Sequence, residues 1–295
     1  MSDPRDDAQR TVFDHRAHFL DSSVVRPMLL GTQAYQQYFE TQFGDRPRHI
    51  SPYVQMEIWR SYLRNIIEFY FTLRLPTIPT LSDALTFWSN KHQTIKHKAI
   101  EQLVAQLFSK RSVNFSRPED KEKALKALEL LIRQFVRSFQ TRFTSTEEDS
   151  TQCARALAPL NVAAEDLVDE LKRFAIGFDD VETCRSLCLI DHFLLTLHRS
   201  DLEAYVQQAA DLPKNSQTRG FIRIAENLQD ILEKGAIACS CRRCEQIGDV
   251  VIALDAPRHM QLEHTDQAFD YLCPPIQQPH RKHPSETQVL GRDMS

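Results

Sequence analysis

The hydrophobic and polar positions of the chain predict α/β segments near both ends of the sequence. Near the C-terminus, Met260, Leu262 and His264 alternate with polar residues, which is typical of a half-buried strand. Before them, an apolar run covers residues 250–254, with a glycine ahead of it and a proline behind it. The flanking glycine and proline predict a short buried helix that leads into the strand.

The N-terminal segment shows the same mixture of short strands and helices. Residues 17–20 and 48–50 are candidate strands, and aromatic residues at near-helical spacing predict a helix that ends at Gly44. Ser51 followed by proline is a helix start, and the helix is predicted to run to about Thr72. Each segment therefore supplies strands for an α/β sheet.

The middle of the chain, residues 76–235, predicts helices alone. The longest begins near Pro118 and runs through Arg142, with its apolar residues on one face. No repeat of fixed length is evident. We interpret this segment as an all-helical insertion in an interrupted α/β domain, or as a helical domain carried on it.

Composition excludes some functions and favours others. Only 7 of 295 residues are glycine, and no glycine-rich phosphate loop occurs, which argues against nucleotide hydrolysis. The polar start does not resemble a signal peptide, and no apolar run approaches the ~20 residues that span a membrane. We therefore expect a soluble, cytoplasmic protein without a membrane partner.

Charge is unevenly distributed along the chain. Residues 91–142 hold twelve Lys and Arg against five Asp and Glu, whereas residues 147–211 hold five against fourteen. A basic stretch can bind nucleic acid, and the arginines Arg26, Arg46 and Arg48 could add to such a surface. A solvated helix face explains either stretch equally well.

Four acidic residues stand at positions where a sheet presents a site. Asp21 and Asp266 follow predicted strands directly, Asp249 falls in the first turn of the predicted helix before the last strand, and Glu57 lies in the helix that Ser51 starts. Ligands of open α/β sheets bind outside the carboxyl ends of the strands, so acids there face a common site.

These acids, with their neighbours, resemble the motifs of the PIN domain, a doubly wound nuclease fold. The four motifs occur in the order of that family. They are Phe19–Val24 (FLDSSV), Tyr53–Glu57 (YVQME), Ile247–Ala253 (IGDVVIA) and Thr265–Phe269 (TDQAF). The resemblance implies a doubly wound parallel sheet formed by residues 11–75 and 236–277, interrupted by the helical insertion at 76–235. Residues 1–10 and 278–295 are then expected to be disordered tails.

Four carboxylates that converge repel one another, and a divalent cation removes the conflict. Oxygen ligands favour Mg²⁺ or Mn²⁺. Asp21 and Asp249 are the expected central ligands, with Glu57 and Asp266 at a second ion or at the attacking water. The hydroxyls expected to support them belong to Ser22, Ser23 and Thr265.

The resemblance implies a metal-dependent endoribonuclease that cuts single-stranded RNA. The helical insertion is expected to shape substrate access or to dock a partner protein. Two alternatives stay open: a PIN-like scaffold that binds nucleic acid or protein without cleaving, and a structure-specific DNA nuclease.

A cysteine cluster precedes the third motif. Cys239, Cys241 and Cys244 have spacing that suits Zn²⁺, with a fourth ligand from Cys273, from His264 or from the pair Cys184 and Cys188. Three reduced thiols that pack at a helix start are the alternative, and it is the one we favour. Among the scattered histidines, His264 is interpreted as a strand side chain rather than a ligand.

Overall fold

The computed structural model describes the chain in several ranges. These are residues 17–91, 100, 104, 114–146, 160–179, 189–235, 244 and 246–292. The chain divides into two compact units. The first unit, which holds the sheet, takes in Met1–Met56, Arg142–Leu157 and Val181–Ser295, and the second takes in Glu57–Thr141 and Ala158–Asp180. None of the helices in the described ranges has the length and apolar character needed to cross a bilayer.

The first unit is organised around a parallel sheet of five strands. The spatial order of the strands is β3-β2-β1-β4-β5, and every neighbouring pair is parallel. In chain order the strands are β1 (His18–Leu20), β2 (Arg48–Ile50), β3 (Thr144–Ser145), β4 (Gln261–His264) and β5 (His280–Lys282). The protein is therefore an α/β protein, as predicted, and the strand order is compatible with a doubly wound fold.

The order of the strands reverses between β1 and β4. From β1 the chain adds β2 and β3 on one side, and β4 and β5 then extend the other side. His18, Phe19 and Leu20 lie opposite Gln261, Leu262 and Glu263. A ligand-binding crevice is expected where the order of such a sheet reverses, at the carboxyl ends of its strands. Residues 21 and 265 directly follow the two strands at that point.

Helices connect and cover these strands. In chain order the described α-helices are α1 (Ser22–Leu30), α2 (Gln33–Phe43), α3 (Pro52–Ile58), α4 (Arg64–Arg74), α5 (Leu81–Lys91), α6 (Lys121–Arg142), α7 (Leu167–Asp179), α8 (Ile190–His192), α9 (Arg199–Asp211), α10 (Arg219–Lys234), α11 (Gly248–Asp255), α12 (Phe269–Leu272) and α13 (Glu286–Arg292). Two π-helical turns, Trp59–Leu63 and Phe193–Leu197, continue α3 and α8, and the 3₁₀ turns are Pro118–Asp120 and Pro274–Ile276.

The two predicted helix ends at glycine, Gly44 and Gly235, agree with the structure. α2 begins after Thr32, whose hydroxyl accepts a hydrogen bond from the Tyr35 N–H, and it ends at Gly44, whose φ is +55°. α10 ends at Gly235 in the left-handed region, with φ of +66°. Glycine adopts positive φ without the steric cost that a Cβ brings, so both positions stop a helix cleanly.

Two strands lie where the sequence predicted none. β3 falls inside residues 76–235, which were predicted to be purely helical, and β5 with α13 falls inside 278–295, which was predicted to be a disordered tail. Strands of two or three residues are too short to show a period of two. The charged residues at 280–283 also suggested exposure to solvent, but Arg281 and His283 contact the buried carboxylate of Glu263.

β4 is buried on both of its faces, although its sequence predicts a half-buried strand. Leu262, Glu263 and His264 are all inaccessible to solvent. A strand with neighbours on both sides in a parallel sheet is covered above and below, so alternation in its sequence does not mean an exposed face. The consequence is a glutamate carboxylate inside the core.

The carboxylate of Glu263 is surrounded by basic groups from both neighbouring strands. Its Oε1 atom lies 2.7 Å from His18 Nδ1 and 3.0 Å from Arg281 Nη2. The Oε2 atom lies 2.7 Å from His283 Nε2 and 2.8 Å from Arg281 Nε. Tyr38 of α2 contacts the other nitrogen of His283 at 3.0 Å. Both carboxylate oxygens are therefore fully satisfied by the protein.

These contacts control the ionisation of Glu263. Burial by itself raises the pKa, but hydrogen bonds from the two imidazoles and from Arg281 outweigh it and lower the pKa to about 2. The carboxylate is therefore ionised at neutral pH. Its folded pKa is below its ordinary value of 4.5, so its contribution to stability is present above pH 4.5 and is lost as the pH falls towards 2.

We expect Glu263→Gln to lower the free energy of unfolding at neutral pH by about 3–5 kcal/mol, because it removes the buried charge that two buried imidazoles and the Arg281 guanidinium surround. Urea unfolding measures the difference. The loss should shrink as the pH is lowered into the range where the native carboxylate is protonated. Glu40→Gln is the matched control: Glu40 pairs with Arg48 and Arg142 but is 43% exposed, so less than about 1 kcal/mol is expected. Equal losses in the two variants would contradict the assignment.

Candidate functional site

Asp21 stands at the carboxyl end of β1 and at the start of α1. Its backbone N–H donates to the Glu263 carbonyl at 3.0 Å, which extends the ladder between β1 and β4 by one residue. Its side-chain Oδ2 accepts a hydrogen bond from the Ser23 N–H at 2.9 Å and so caps α1. The strand-to-helix turn therefore fixes this carboxylate at the point where the strand order reverses.

The second oxygen of the same carboxylate is unusual. Asp21 is 2% exposed, and its Oδ1 has no hydrogen-bond partner among the residues that the structure describes. Burial raises the pKa of Asp21, hydrogen bonds from Ser23 and Ser22 oppose that rise, and the charge of Asp266 adds to it. A buried carboxylate oxygen without a donor carries a desolvation cost that a bound cation would relieve.

Asp266 and its neighbours close the other side of this turn. The Thr265 N–H donates to Ser23 Oγ at 3.0 Å, which ties the end of β4 to the first turn of α1. Asp266 is exposed, and its Oδ1 accepts from the Ala268 N–H at 2.9 Å. The negative charge of Asp266 contributes to the raised pKa of Asp21. Ser23 holds the two loops in place, as a supporting hydroxyl should, while Ser22 donates through its backbone to Asp21.

Asp249 lies in the first turn of α11 and is half-buried. A helix that leads into a parallel strand runs opposite to that strand, so the start of α11 lies towards the carboxyl edge of β4. α11 also packs against α12, which begins just after the loop of Asp266. Asp249 thus belongs to the same edge of the sheet as Asp21 and Asp266.

Glu57 is placed differently. It lies near the end of α3 and is the first residue of the second unit along the chain. The structure therefore groups three of the four predicted acids in the sheet unit, and the role of Glu57 at the site stays a prediction.

Several of the arginines considered for phosphate binding donate hydrogen bonds within the protein. Arg48 donates to both oxygens of Glu40 and lies over the ring of Phe43, and Arg142 donates to Glu40 and to a backbone carbonyl. Within the second unit, Arg133 donates to the carbonyls of residues 162 and 164. Arg26 is exposed on α1, in the first unit.

The cysteine cluster is only partly within the described residues. Cys239 and Cys241 lie outside them, as do Cys184 and Cys188. Cys244 is half-buried, and Cys273 is fully buried, where burial raises the pKa of its thiol. A raised thiol pKa disfavours the thiolate that binds Zn²⁺. Zinc at these cysteines stays a prediction.

Sequence reasoning missed a second group of polar side chains in the same unit. His264, Asp270 and His280 come from β4, α12 and β5, and they bring one ligand-type atom each to within 4.8 Å of the others. Burial and, to a smaller extent, the charge of the neighbouring His280 together lower the pKa of His264 to about 4. Spacings of six and ten residues across loops carry no motif. Only the pairing of β4 with β5, which was not predicted, brings them together.

Among the described residues, Asp21, Asp249 and Asp266 do not form a group of three whose carboxylate oxygens lie within 4.8 Å of one another. Mg²⁺ and Mn²⁺ are bound by as few as one or two carboxylates while keeping several waters, so the Asp21 carboxylate can serve as a ligand without a group of three acids. The unpartnered oxygen of Asp21 is the atom that fits this role best. Comparisons with protein-family models, with curated proteins and with solved structures found no match for the chain. The PIN resemblance therefore stays a prediction, and the buried Asp21 carboxylate has to support the function by itself.

We expect Asp21→Asn to stabilise the metal-free protein by about 1 kcal/mol at neutral pH, because the amide keeps a capping oxygen and removes a buried charge. The pKa of Asp21 is raised on folding, so its ionisation costs stability as the pH rises through the folded value. Asp21→Asn cannot ionise, so its folding stability should not show this decline with pH. Urea unfolding in chelator, with and without added Mn²⁺, measures both effects.

In the native chain Mn²⁺ should raise the unfolding midpoint, and in Asp21→Asn it should not. Asp45→Asn is the matched control, since Asp45 is exposed in the turn before β2, at the amino edge of the sheet. It should change stability by no more than about 0.5 kcal/mol and keep the response to Mn²⁺. An Asp21→Asn protein that Mn²⁺ still stabilises would show that the ion binds elsewhere.

Proposed function

We propose that this protein is a metal-dependent nuclease, an endoribonuclease of PIN type, whose site lies at the carboxyl ends of β1 and β4. The observation that carries the proposal is the Asp21 carboxylate. It is buried, one of its oxygens has no partner among the described residues, and Asp266 lies near enough to raise its pKa. A protein that needed this carboxylate only as a helix cap would gain stability from a neutral asparagine.

Each side chain has a distinct role in the proposal. Asp21 and Asp249 would hold Mg²⁺ or Mn²⁺, and Asp266, the exposed member, would orient water at the entrance. Ser23 fixes the spacing of the two loops through its contact with the Thr265 N–H. When bound, the ion would neutralise phosphate charge and lower the pKa of a water so that it can attack phosphorus.

The choice of RNA rests on the resemblance to PIN domains. Parallel sheets with acids at the carboxyl edge support hydrolysis of a phosphodiester without distinguishing ribose from deoxyribose. Discrimination would need a contact with the 2′-hydroxyl. Cleavage of single-stranded RNA is therefore the first activity to test, with single-stranded DNA and a DNA flap as the other substrates.

We expect the purified full chain to cleave single-stranded RNA internally in Mg²⁺ or Mn²⁺ and to stop in chelator. Asp21→Asn and Asp249→Asn should each lower the rate about a hundredfold or more, since each removes a ligand of the ion. Denaturing gels of end-labelled RNA measure internal cleavage. Asp45→Asn, which is remote from the carboxyl edge, should cleave at the native rate.

The other outcomes separate the alternatives. Cleavage of the flap but not of RNA would replace the proposal with a structure-specific DNA nuclease. RNA binding without cleavage under every metal condition would favour a silent scaffold. Cleavage that persists in chelator and in both Asp variants would indicate a contaminating nuclease and would overturn the assignment of this site.

A further inference from the structure

A second group of metal-ligand side chains lies on β4 and β5, separate from the Asp21 carboxylate. His264 is fully buried, and its Nδ1 lies 2.8 Å from the backbone carbonyl of Asp266. A carbonyl only accepts, so Nδ1 carries the proton and the other nitrogen, Nε2, has a free lone pair in the neutral ring. A hydrogen bond from a histidine N–H to a backbone carbonyl is also how proteins orient histidines that bind metals.

The free nitrogen of His264 points directly at a second imidazole. Nε2 of His264 and Nδ1 of His280 are 3.1 Å apart, while the ring centroids are 5.3 Å apart and the rings are tilted by only 24°. The rings therefore meet edge to edge through their nitrogens rather than face to face. Without an ion, a proton on Nδ1 of His280 bridges the pair.

Little movement converts this pair into two ligands of one ion. Two nitrogens bound tetrahedrally to Zn²⁺ at about 2.0–2.1 Å lie about 3.3–3.4 Å apart, so the nitrogens must separate by a few tenths of an ångström. The rings must also turn by roughly 35° so that both lone pairs meet at the ion. His280 is half-buried on the edge strand β5, and its proton can move to Nε2, which gives the other neutral tautomer.

Asp270 supplies the third ligand, and Lys282 competes for it. A carboxylate oxygen of Asp270 lies within 4.8 Å of one ring nitrogen of each histidine, and Lys282 Nζ donates to Asp270 Oδ2 at 2.6 Å. That ion pair is partly exposed, with side chains 40% and 35% accessible. Solvent-exposed pairs contribute at most about 1 kcal/mol, so a divalent ion can displace the ammonium.

We propose that His264, Asp270 and His280 form a binding site for Zn²⁺ or a similar transition-metal ion, distinct from the oxygen-only site proposed at Asp21. Two imidazoles and one carboxylate suit Zn²⁺ better than Mg²⁺, and three protein ligands leave a fourth position open. The site stands whether or not the chain is a nuclease. Because His264 contacts the carbonyl of Asp266, an ion there would also hold the loop that carries Asp266.

The test titrates the purified full chain with Zn²⁺ in a calorimeter and with Co²⁺ in a spectrophotometer. We expect a d–d absorption typical of tetrahedral Co²⁺. His280→Asn and Asp270→Asn, which alter half-buried residues, should each weaken Zn²⁺ binding by about a hundredfold or more, since even loss of a group that only orients a ligand costs about 10–100-fold. His192→Gln, at an exposed histidine on α8, should leave the affinity unchanged.

Lys282→Gln separates a ligand from a partner of an ion pair. If Asp270 binds the ion, this variant removes a competing cation and should tighten Zn²⁺ binding, whereas Asp270→Asn weakens it. If Asp270 serves only the ion pair, the two variants should behave alike. Like effects of the two variants, or unchanged affinity in His280→Asn, would overturn the proposal.

Two further readouts keep the outcome specific. X-ray absorption of the Zn²⁺-loaded protein should show nitrogen and oxygen neighbours, and sulfur neighbours or a sulfur-to-cobalt charge-transfer band would assign the metal to cysteines instead. Asp21→Asn should keep Zn²⁺ binding while it loses the response to Mn²⁺. Loss of both responses in Asp21→Asn would contradict the separation of the two sites, and loss of Mn²⁺ alone would leave the histidine site in place.

Discussion

The buried carboxylate of Glu263 is the constraint on which the sheet depends. A charge at the centre of a core is tolerated only when partners satisfy it, and here they are two buried histidines and the partly exposed Arg281. His18 of β1 and Glu263 are separated by 245 residues along the chain. The contacts of Glu263 therefore help to fix β1 and β5 as the neighbours of β4. In this register the backbone carbonyl of Glu263 accepts a hydrogen bond from the Asp21 N–H.

Asp21 and Glu263, close together in one sheet, show two different uses of a buried acid. Both are almost inaccessible to solvent, yet the pKa of Glu263 is lowered and that of Asp21 is raised. The difference lies in the donors: the protein satisfies both oxygens of Glu263, but only one oxygen of Asp21. Complete satisfaction is typical of a structural role, whereas the unpartnered oxygen of Asp21 carries a desolvation cost that the described residues do not offset.

The sequence predicts the elements whose pattern is local. β1, β2 and α11 agree with the prediction to within a residue, because apolar runs, Ser51 with its proline, and the glycines mark their bounds. The position of Asp21 after a strand could also be predicted, and with it one half of the candidate site. The absence of a hydrogen-bond partner for Asp21 Oδ1 could not be predicted, because burial depends on how separate segments pack.

Other features depend on pairing over long distances and left no local signal. Glu263 alternates with apolar residues, which suggested that its side chain is exposed. Its partners Arg281 and His283 lie in a segment whose charge suggested disorder. The same unpredicted pairing brings His280 to His264. PIN-type identity likewise rests on four short motifs, and the structure supports the α/β sheet beneath them without identifying the family.

The late position of β5 has a consequence for how the chain is made. Ribosomes deliver β1 and β4 before Arg281 and His283 exist, so a nascent chain cannot bury the Glu263 carboxylate with its partners until β5 has emerged. The sheet should therefore close only after residues 280–283 have been made, when the helices of the second unit have had time to fold. Until then the open edge of β4 offers unpaired backbone groups, and this is the stage at which chaperones would matter most.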